Sequence, residues 1–176
     1  MDTTNISLRS LSHEDELPIL DILTSHEVRK TYMLPEYHIR EDAIPLFLRL
    51  MDLSKNPSRY VRCISLGQTA VGFLNDVEIK NNTIELGYVI HPDYHNRGIM
   101  TAALKLAISE LFQSGYTDIH CGAFEENLAS QRVMAKCGMK LIPLTEEIEY
   151  RGNTHICVYY HIANGKENGY ENSAHL

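Results

Sequence analysis

The residues whose types and spacing best suit anion binding lie in one short stretch, Asn96 to Met100 (NRGIM). A strand-like apolar run precedes it and a helical pattern follows it, so several successive backbone N–H groups are predicted at a helix N-terminus without an intrahelical acceptor. Such an end favours a negatively charged ligand. Gly98 would let a ligand approach the backbone closely, and the guanidinium of Arg97 has donors suited to phosphate oxygens. The sequence therefore predicts a phosphate-binding site at this helix entrance.

Histidines and cysteines offer alternative chemistries, and neither is favoured. His91, Asp93 and His95 surround a proline in a loop, with His120 distant along the chain, instead of standing at i and i+4 on a helix. A zinc-dependent hydrolase is kept only as an alternative, and no metal site is predicted. The cysteines form no C-x-x-C pair, which predicts reduced, buried thiols; they are Cys63, Cys121, Cys137 and Cys157.

The elements that position the helix entrance follow from hydrophobic periodicity. Residues 83–90 (TIELGYVI) and 118–124 (DIHCGAF) are rich in strand-forming side chains and predict two strands. Between them a helix opens at Gly98, with apolar residues at the i, i+3, i+4, i+7 spacing: Met100, Ala103, Leu104, Ala107, Ile108 and Leu111. A crossover helix of this kind joins two parallel strands.

The rest of the pattern predicts further strands and helices around this crossover. The other predicted strands are Ile6 to Leu11, Arg59 to Leu66, Thr69 to Ile79, Met139 to Tyr150 and Thr154 to Ile162. Three other helices are predicted. The first begins at His13 and has the apolar face Leu17, Leu20, Ile22 and Leu23, and the second spans Glu41 to Leu53 and has the apolar stripe Ile44, Phe47, Leu48 and Met51. The third spans Asn127 to Cys137. Gly72 and Gly87 lie inside strand patterns, which indicates a bulge or a close backbone approach. The unperiodic segment Ser25 to Arg40 is predicted either to contact substrate or merely to cover the core.

Length and composition predict an ordinary globular protein. The 176 residues suit one domain, predicted over residues 1–162, with a polar, mobile tail over residues 163–176. The net charge of −7 argues against broad nucleic-acid binding and suits either a cationic substrate or simple solubility. No apolar run is long enough to span a membrane, and the N-terminus lacks the pattern of a signal peptide. We therefore expect a cytoplasmic protein without nucleic-acid or membrane partners.

Two motifs at their observed separation resemble the GNAT superfamily of acetyl-CoA-dependent N-acyltransferases. They are ELGYVIHPDYHNRGIMTAALKLA in the middle of the chain and NLASQRVMAKCGM near its end. The segment SHEVRKTY and the N-terminal LRSL extend the likeness over almost the whole chain, and they resemble the branch of the ribosomal-protein N-terminal (alanine/serine) acetyltransferases. The resemblance implies a GNAT-like α/β fold, of the α+β type, in which a largely antiparallel sheet contains a central parallel βαβ crossover and has helices on both faces.

The resemblance also implies which residues bind acetyl-CoA. In the family, a loop and helix start hold the pyrophosphate through backbone N–H groups, and the motif positions here are His95, Gly98 and Met100. The strand before them is expected to expose backbone to the pantetheine arm. The full set of expected coenzyme-binding residues is Val89, Ile90, His95, Asn96, Arg97, Gly98, Ile99, Met100, Thr101 and Asn127. For Asn127, capping of the following helix is an alternative or additional role.

Several positions depart from the family pattern. His95 replaces Gln or Arg, Asn96 replaces the Gly that this branch often has, and Met100 replaces Gly or Ala. A side chain removes no backbone N–H, so the donors remain, and Asn tolerates positive φ better than most residues. Met134 occupies the position where many relatives have a tyrosine that acts as the acid, so that acid is absent.

The implied reaction is direct attack of a primary amine on the thioester of acetyl-CoA. Glu85 is expected to act as the base, because many relatives have a catalytic or water-positioning glutamate there; a solvent-facing carboxylate is the alternative. Ser130 is the expected acid, with Tyr159 or Tyr160 as alternatives. The acceptor would be a protein or peptide N-terminus or a small amine, and a homodimer paired through terminal strands is left open. The competing hypothesis is a catalytically silent acyl-CoA-binding or regulatory protein on the same fold.

Overall fold

The computed structural model describes residues 5–165, and within them four α-helices lie against a seven-stranded sheet. The strands are β1 (Ile6–Arg9), β2 (Val61–Leu66), β3 (Thr69–Lys80), β4 (Thr83–Ile90), β5 (Asp118–Phe124), β6 (Lys140–Tyr150) and β7 (Asn153–Ala163). The helices are α1 (Glu16–Thr24), α2 (Arg40–Lys55), α3 (Ile99–Gln113) and α4 (Leu128–Lys136). The sheet order is β1-β2-β3-β4-β5-β7-β6, with β4 and β5 parallel and the other neighbours antiparallel. The predicted mixed sheet with one parallel crossover is confirmed.

Two hydrophobic cores lie on opposite faces of the sheet. On one face, which we call the α3 face, helices α3 and α4 cover the sheet; its core includes Ile84, Leu86, Leu104, Ile119 and Met134. On the other, the α1 face, helices α1 and α2 cover it; its core includes Ile19, Phe47, Phe73 and Val89. Because side chains alternate along a strand, Glu85 and Gly87 share the α1 face with Val89, whereas Tyr88 shares the α3 face with Leu86.

The N-terminal third differs in detail from the prediction. β1 ends at Arg9 instead of Leu11, because the amide of Leu11 donates to the hydroxyl of Ser54 on α2 instead of pairing with β2. The first helical segment is a short 3₁₀ turn before α1 begins at Glu16. Leu17, predicted on the apolar face, is 62% exposed, and Ile19 takes the buried position.

The second helix and the tail also differ. α2 extends beyond both predicted ends, to Arg40 and Lys55, and Leu48 of the predicted stripe is 39% exposed while Leu50 is buried. The predicted tail starts too early, because its first residue, Ala163, still pairs with Asp118 in the sheet. Residues 166–176 of that tail lie outside the described residues. Among the described helices, none is long and apolar enough to cross a membrane.

The parallel strands β4 and β5 pair only at their beginnings. Their register runs from Thr83 with Asp118 to Leu86 with Cys121. Beyond that point residues 87–90 remain paired with β3, and residues 122–124 remain paired with β7. The two strands therefore diverge, and the opening between them, which we call the strand gap, begins at Gly87 and Gly122.

Close approaches explain both glycines singled out in the strand patterns. A Cβ at Gly72 would lie 2.3 Å from the carbonyl oxygen of Val89, a distance that real Cβ atoms do not adopt. A Cβ at Gly87 would lie 3.3 Å from the side-chain oxygen of Asn75, a tight contact, and 3.4 Å from the hydroxyl oxygen of Tyr32. A bulge also occurs nearby, at Val77 in β3, where the register with β4 shifts between Asp76 and Glu78.

Candidate functional site

A cavity of about 450 Å³ lies where the strand gap meets the N-termini of α3 and α4. Its walls come from five parts of the chain: the segment after α1, the second half of β4, the loop before α3 with the start of that helix, the end of β5, and α4. We call it the loop cavity. Gly87 and Gly122, at the beginning of the strand gap, both line it. It is therefore open to the sheet interior as well as to the helix ends.

The loop before α3 presents a row of free backbone donors to this cavity. Asn96 and Gly98 both have positive φ, 59° and 77°, and Gly98 is the N-cap of α3. The first amide after the loop to be hydrogen-bonded is that of Ala102, which donates to the Gly98 carbonyl. Within residues 5–165, the amides of residues 96–101 have no acceptor. Such a succession of N–H groups at a helix N-terminus is a strong anion site.

The side chains of the loop fix its shape more than they fill the cavity. His95 Nε2 lies 3.2 Å from the carbonyl oxygen of Ile90, which ties the loop back to β4. The guanidinium of Arg97 lies 5.3 Å from the centre of the Tyr94 ring, a cation–π arrangement. A Cβ at Gly98 would meet no atom within 4 Å. The backbone at Gly98 is therefore open to a ligand.

The second half of β4 offers an unpaired edge to the loop cavity. Within the described part of the chain, residues 87–90 hydrogen-bond to β3 on one side only, so their other edge faces the strand gap without a partner strand there. Exposed strand edges pair with extended ligands that carry amide groups. Val89 and Ile90, both expected to contact the coenzyme, line the cavity along this edge.

The start of α4 closes the other side of the loop cavity. Asn127 caps this helix, since its side-chain oxygen accepts a hydrogen bond from the amide of Ser130 at 3.1 Å. The hydroxyl oxygen of Ser130 lies 2.6 Å from that of Tyr88, which reaches across from β4. Met134, at the family's acid position, is fully buried. The capping role of Asn127 is thus present, and its side chain also lines the cavity.

The structure groups most of the expected site residues in one place. All ten expected coenzyme-binding residues line the loop cavity, as does Ser130. Glu85 does not: it lines a second cavity on the α1 face. The alternative acids also separate, because Tyr159 faces the second cavity while the hydroxyl of Tyr160 lies 3.3 Å from Gln131 on α4.

The second cavity has a volume of about 660 Å³ and three glutamates in its walls. We call it the glutamate cavity. Glu85 is directly opposite Glu78 on the neighbouring strand, at the end of the bulge, and Glu146 comes from β6. Glu146 accepts a hydrogen bond of 2.6 Å from the hydroxyl of Tyr159. The apolar residues of its wall include Met33, Val77, Leu144 and Ile148, of which the first three are strongly exposed.

The ionisation of the glutamate cavity is perturbed. Burial raises the pKa of Glu85, and the nearby carboxylates of Glu146 and Glu78 raise it further. Burial, with the neighbouring His161, lowers the pKa of His120 in the same cavity. A half-buried carboxylate with a raised pKa in a cleft is a typical candidate for a general base.

The two cavities approach each other at the strand gap. Gly122 lines the loop cavity, and a Cβ there would lie 3.0 Å from the ring of Tyr159, which lines the glutamate cavity. Tyr32 lines the loop cavity from the α1 face and hydrogen-bonds Asn75 beside Gly87. The absence of side chains at both glycines therefore leaves only thin walls between the cavities.

The segment between α1 and α2 contributes to both cavities. Tyr32 lines the loop cavity and Met33 the glutamate cavity. The hydroxyl of Tyr150 on β6 holds this segment, because it donates to the carbonyl of Arg29 at 2.9 Å and accepts from the amide of Leu34 at 3.3 Å. The sequence indicated this segment as a place for substrate contacts but gave no sign of Tyr150, whose partners are more than 100 residues away.

The cysteines and histidines of the described residues have other places than a shared site. The four cysteines are free and buried, as predicted. His91 accepts a hydrogen bond from the amide of Asp93 and caps a 3₁₀ turn, while His120 lies in the glutamate cavity. Among residues 5–165, no group of three or more His, Cys, Asp or Glu side chains is arranged to hold a metal ion.

Comparisons with known proteins agree with this geometry. The family model described as an acetyltransferase (GNAT) domain matches residues 5–140. No curated protein sequence matches the chain. Among solved structures, a GNAT-family acetyltransferase from Bacillus anthracis is 21% identical with a TM-score of 0.78, and the match covers 90% of this chain and 95% of that one.

Two further similar structures carry different descriptions. One is an acetyl transferase from Salmonella typhimurium described as modifying the N-terminal serine of ribosomal protein L7/L12; it is 17% identical with a TM-score of 0.78, over 92% of this chain and 96% of that one. The other is spermidine N-acetyltransferase from Vibrio cholerae with CoA and spermine, 16% identical with a TM-score of 0.77, over 91% and 96% of the two chains. At these identities the structures share the fold, and the family model carries the assignment. The chain therefore belongs to the GNAT acetyltransferase family of acetyl-CoA-dependent acyltransferases.

Proposed function

We propose that this protein transfers an acetyl group from acetyl-CoA to a primary amine by direct attack of the amine on the thioester. The observation that carries the proposal is the arrangement of the two cavities. A site rich in backbone donors lies on the α3 face and reaches the strand gap at Gly87 and Gly122. A carboxylate-lined site lies on the α1 face and approaches the same gap, because Tyr159 in its wall lies beside Gly122. A thioester in the gap would be accessible to an amine from the glutamate cavity.

The hydrogen-bonding groups that line the loop cavity suit the chemical groups of the coenzyme. The unpaired amides of residues 96–101 suit the pyrophosphate, and the unpaired edge of β4 suits the amide groups of the pantetheine arm. When bound, acetyl-CoA supplies an acetyl group activated as a thioester. The chain's part is to fix that group in the strand gap.

The glutamate cavity suits an amine that carries positive charge beside apolar groups. Glu78, Glu85 and Glu146 attract an ammonium ion. Of the described residues that line this cavity, none is an arginine, and the one lysine, Lys80, pairs with Glu78 at 2.8 Å. The exposed side chains of Met33, Val77 and Leu144 offer apolar contacts at the same place. A peptide N-terminus or a small amine with an apolar body satisfies both.

Proton transfer follows from the positions of Glu85 and Ser130. The attacking nitrogen must lose a proton, and Glu85, whose pKa is raised by burial and by its neighbouring carboxylates, accepts it directly or through water. On the opposite side of the sheet, Ser130 faces the loop cavity and donates a hydrogen bond to the sulfur as the carbon–sulfur bond breaks. Its hydroxyl would take the role of the tyrosine that many relatives have at the position of Met134.

The experiment is thiol release from acetyl-CoA with a panel of primary amines, together with the melting temperature with and without acetyl-CoA. The panel holds short peptides with free N-termini, polyamines and monoamines with apolar chains. We expect stabilisation by acetyl-CoA and turnover with peptides or apolar amines. Stabilisation without turnover over the whole panel would favour the silent acyl-CoA-binding protein. The absence of both stabilisation and turnover would contradict the proposal altogether.

Location and assembly stay predictions. The free, buried cysteines suit the reducing cytoplasm that we propose as the compartment. A homodimer would have an edge strand available, since β6 lies at the end of the sheet with Leu141 and Leu144 exposed. Sedimentation of the purified protein tests the second prediction.

A further inference from the structure

A hydrogen-bonded pair of hydroxyls joins the two sides of the loop cavity. Tyr88 lies on β4, two residues past the last pair with β5, and Ser130 lies in the first turn of α4. Their hydroxyl oxygens are 2.6 Å apart, and the Tyr88 hydroxyl is also 3.2 Å from the Ser130 carbonyl oxygen. Both residues line the cavity. The contact therefore crosses the opening in which the thioester would lie.

The rest of the surroundings hold Ser130 in place. The side-chain oxygen of Asn127 accepts a hydrogen bond of 3.1 Å from the amide of Ser130. The helix cap therefore holds the backbone of Ser130, and Tyr88 on β4 holds its hydroxyl. Tyr88 is half-buried among core residues of the α3 face. Burial raises the pKa of its phenol well above the ordinary tyrosine value, so Tyr88 stays protonated and acts as a hydrogen-bond donor, not as an acid.

We propose that Tyr88 is a positioning residue that directs the Ser130 hydroxyl to the sulfur of the thioester. When Tyr88 donates to the Ser130 hydroxyl oxygen, the Ser130 proton is left free to point into the loop cavity. In the alternative arrangement, Ser130 would donate to Tyr88 while Tyr88 donates to the Ser130 carbonyl, and no donor would face the sulfur. The inference rests on the proposed function, because it assigns a partner to the residue expected to assist departure of the thiol.

The step balances without a further reactant. The amine nitrogen forms a bond to the acetyl carbon, and the carbon–sulfur bond breaks with its electron pair passing to sulfur. Ser130 donates a hydrogen bond to that sulfur, and Tyr88 donates to the Ser130 oxygen, so that each donor strengthens the next. Neither hydroxyl loses its proton. The proton lost by the nitrogen goes to Glu85 or to water, and sulfur takes its proton from water.

A double-mutant cycle tests the proposal on the full-length protein with acetyl-CoA and the best amine of the panel. The variants are Tyr88→Phe, Ser130→Ala and the two combined, each measured for kcat, for KM and for the dissociation constant of acetyl-CoA. Tyr60→Phe is the matched control, because Tyr60 is a buried tyrosine in the same core whose hydroxyl bonds Glu110, 2.9 Å away, outside both cavities. Phenylalanine keeps the ring in each case.

We expect Tyr88→Phe to lower kcat by about tenfold, because it removes one hydrogen bond from the chain of donors that ends on the charged sulfur in the transition state. The dissociation constant of acetyl-CoA should change by less than about twofold. Ser130→Ala should lower kcat further, by about a hundredfold. The double variant should match Ser130→Ala alone, because Tyr88 acts only through Ser130. Tyr60→Phe should leave kcat unchanged.

The outcomes separate this inference from the function on which it rests. Additive losses in the double variant, or a normal kcat in Tyr88→Phe with Ser130→Ala impaired, would overturn the role of Tyr88 and leave the acetyltransferase proposal standing. A lower melting temperature with an unchanged kcat would show that Tyr88 only supports the fold. Wild-type protein without turnover on any amine would instead count against the proposed function itself.

Discussion

The loop cavity is built mainly from backbone groups, and the glutamate cavity is built from side chains. On the α3 face, backbone amides from one contiguous stretch and the free edge of β4 form the binding surface. On the α1 face, side chains from β3, β4, β6 and the segment after α1 converge from distant parts of the chain. The first site therefore depends on the path of the main chain, and the second on the identity of individual residues.

This difference explains how the helix entrance departs from its family pattern and keeps its donors. Asn96 adopts the positive φ for which glycine is usual, and His95 and Met100 leave the amides of residues 96–101 unpaired. A backbone site tolerates such changes as long as φ is preserved. The glutamate cavity has no such tolerance, since removal of one carboxylate removes the group itself.

The largest effect is expected from Glu85→Gln, which removes the proposed base and keeps the shape of the side chain. We expect kcat/KM for the amine to fall by about 10² to 10³, which lies within the usual contribution of general-base catalysis, with the affinity for acetyl-CoA unchanged. Steady-state kinetics and calorimetry measure the two quantities. Glu147→Gln, on β6 but outside the cavity, is the control. Equal losses in both variants would remove the special role of Glu85.

The acetyl-CoA site formed by backbone amides should lose affinity when the positive φ of Gly98 is disturbed. Gly98→Ala introduces a Cβ at a φ of 77°, in the space that opens to the ligand, and should weaken acetyl-CoA binding by about tenfold. Gly67→Ala makes the same change at a φ of 62° in the β2–β3 turn, again with no atom near the added Cβ. Both should lower the free energy of unfolding by about 1 kcal/mol, but only the first should lower affinity in calorimetry. Equal affinities would contradict a backbone-built site.

A pH-dependent effect should follow from the glutamates. Ionised Glu85 is the active form, so kcat/KM falls as pH drops through its pKa, which burial, Glu146 and Glu78 raise. Glu146→Gln removes one of these charges, lowers that pKa and should move the acidic limb of the pH–rate profile to lower pH. The ionisation of the amine is common to both enzymes and cancels in the comparison. If the acidic limb did not move, the group that titrates there would not be Glu85.

The smallest effect is expected from Arg97→Ala. Arg97 is exposed and stacks on Tyr94, and its removal leaves the amides of residues 96–101 in place. The dissociation constant of acetyl-CoA should rise only about two- to fivefold, as for an exposed charge. Arg97→Lys, which keeps the charge, should behave like the wild type. A loss approaching a hundredfold in Arg97→Ala would show that the side chain, not the backbone, carries the affinity.

The same contrast governs what the sequence predicts. The strands β4 and β5, helix α3 and the donor row at residues 96–101 are local, so spacing and capping rules were sufficient to find them. The glutamate cavity depends on register. Glu85 meets Glu78 only because a bulge at Val77 shifts β3, and Glu146 joins them through the order β5-β7-β6. Tyr88 was likewise missed as a partner of Ser130, because the contact spans 42 residues and two elements.

The most direct test of the account is a crystal structure of the protein with coenzyme A. We predict pyrophosphate oxygens within hydrogen-bond distance of the amides of residues 96–101 and the thiol in the strand gap between Gly87 and Gly122. From that position the thiol would face Ser130 on one side and the opening toward Glu85 on the other. A coenzyme bound outside the loop cavity, or a thiol directed away from the strand gap, would contradict the arrangement on which the proposed reaction depends.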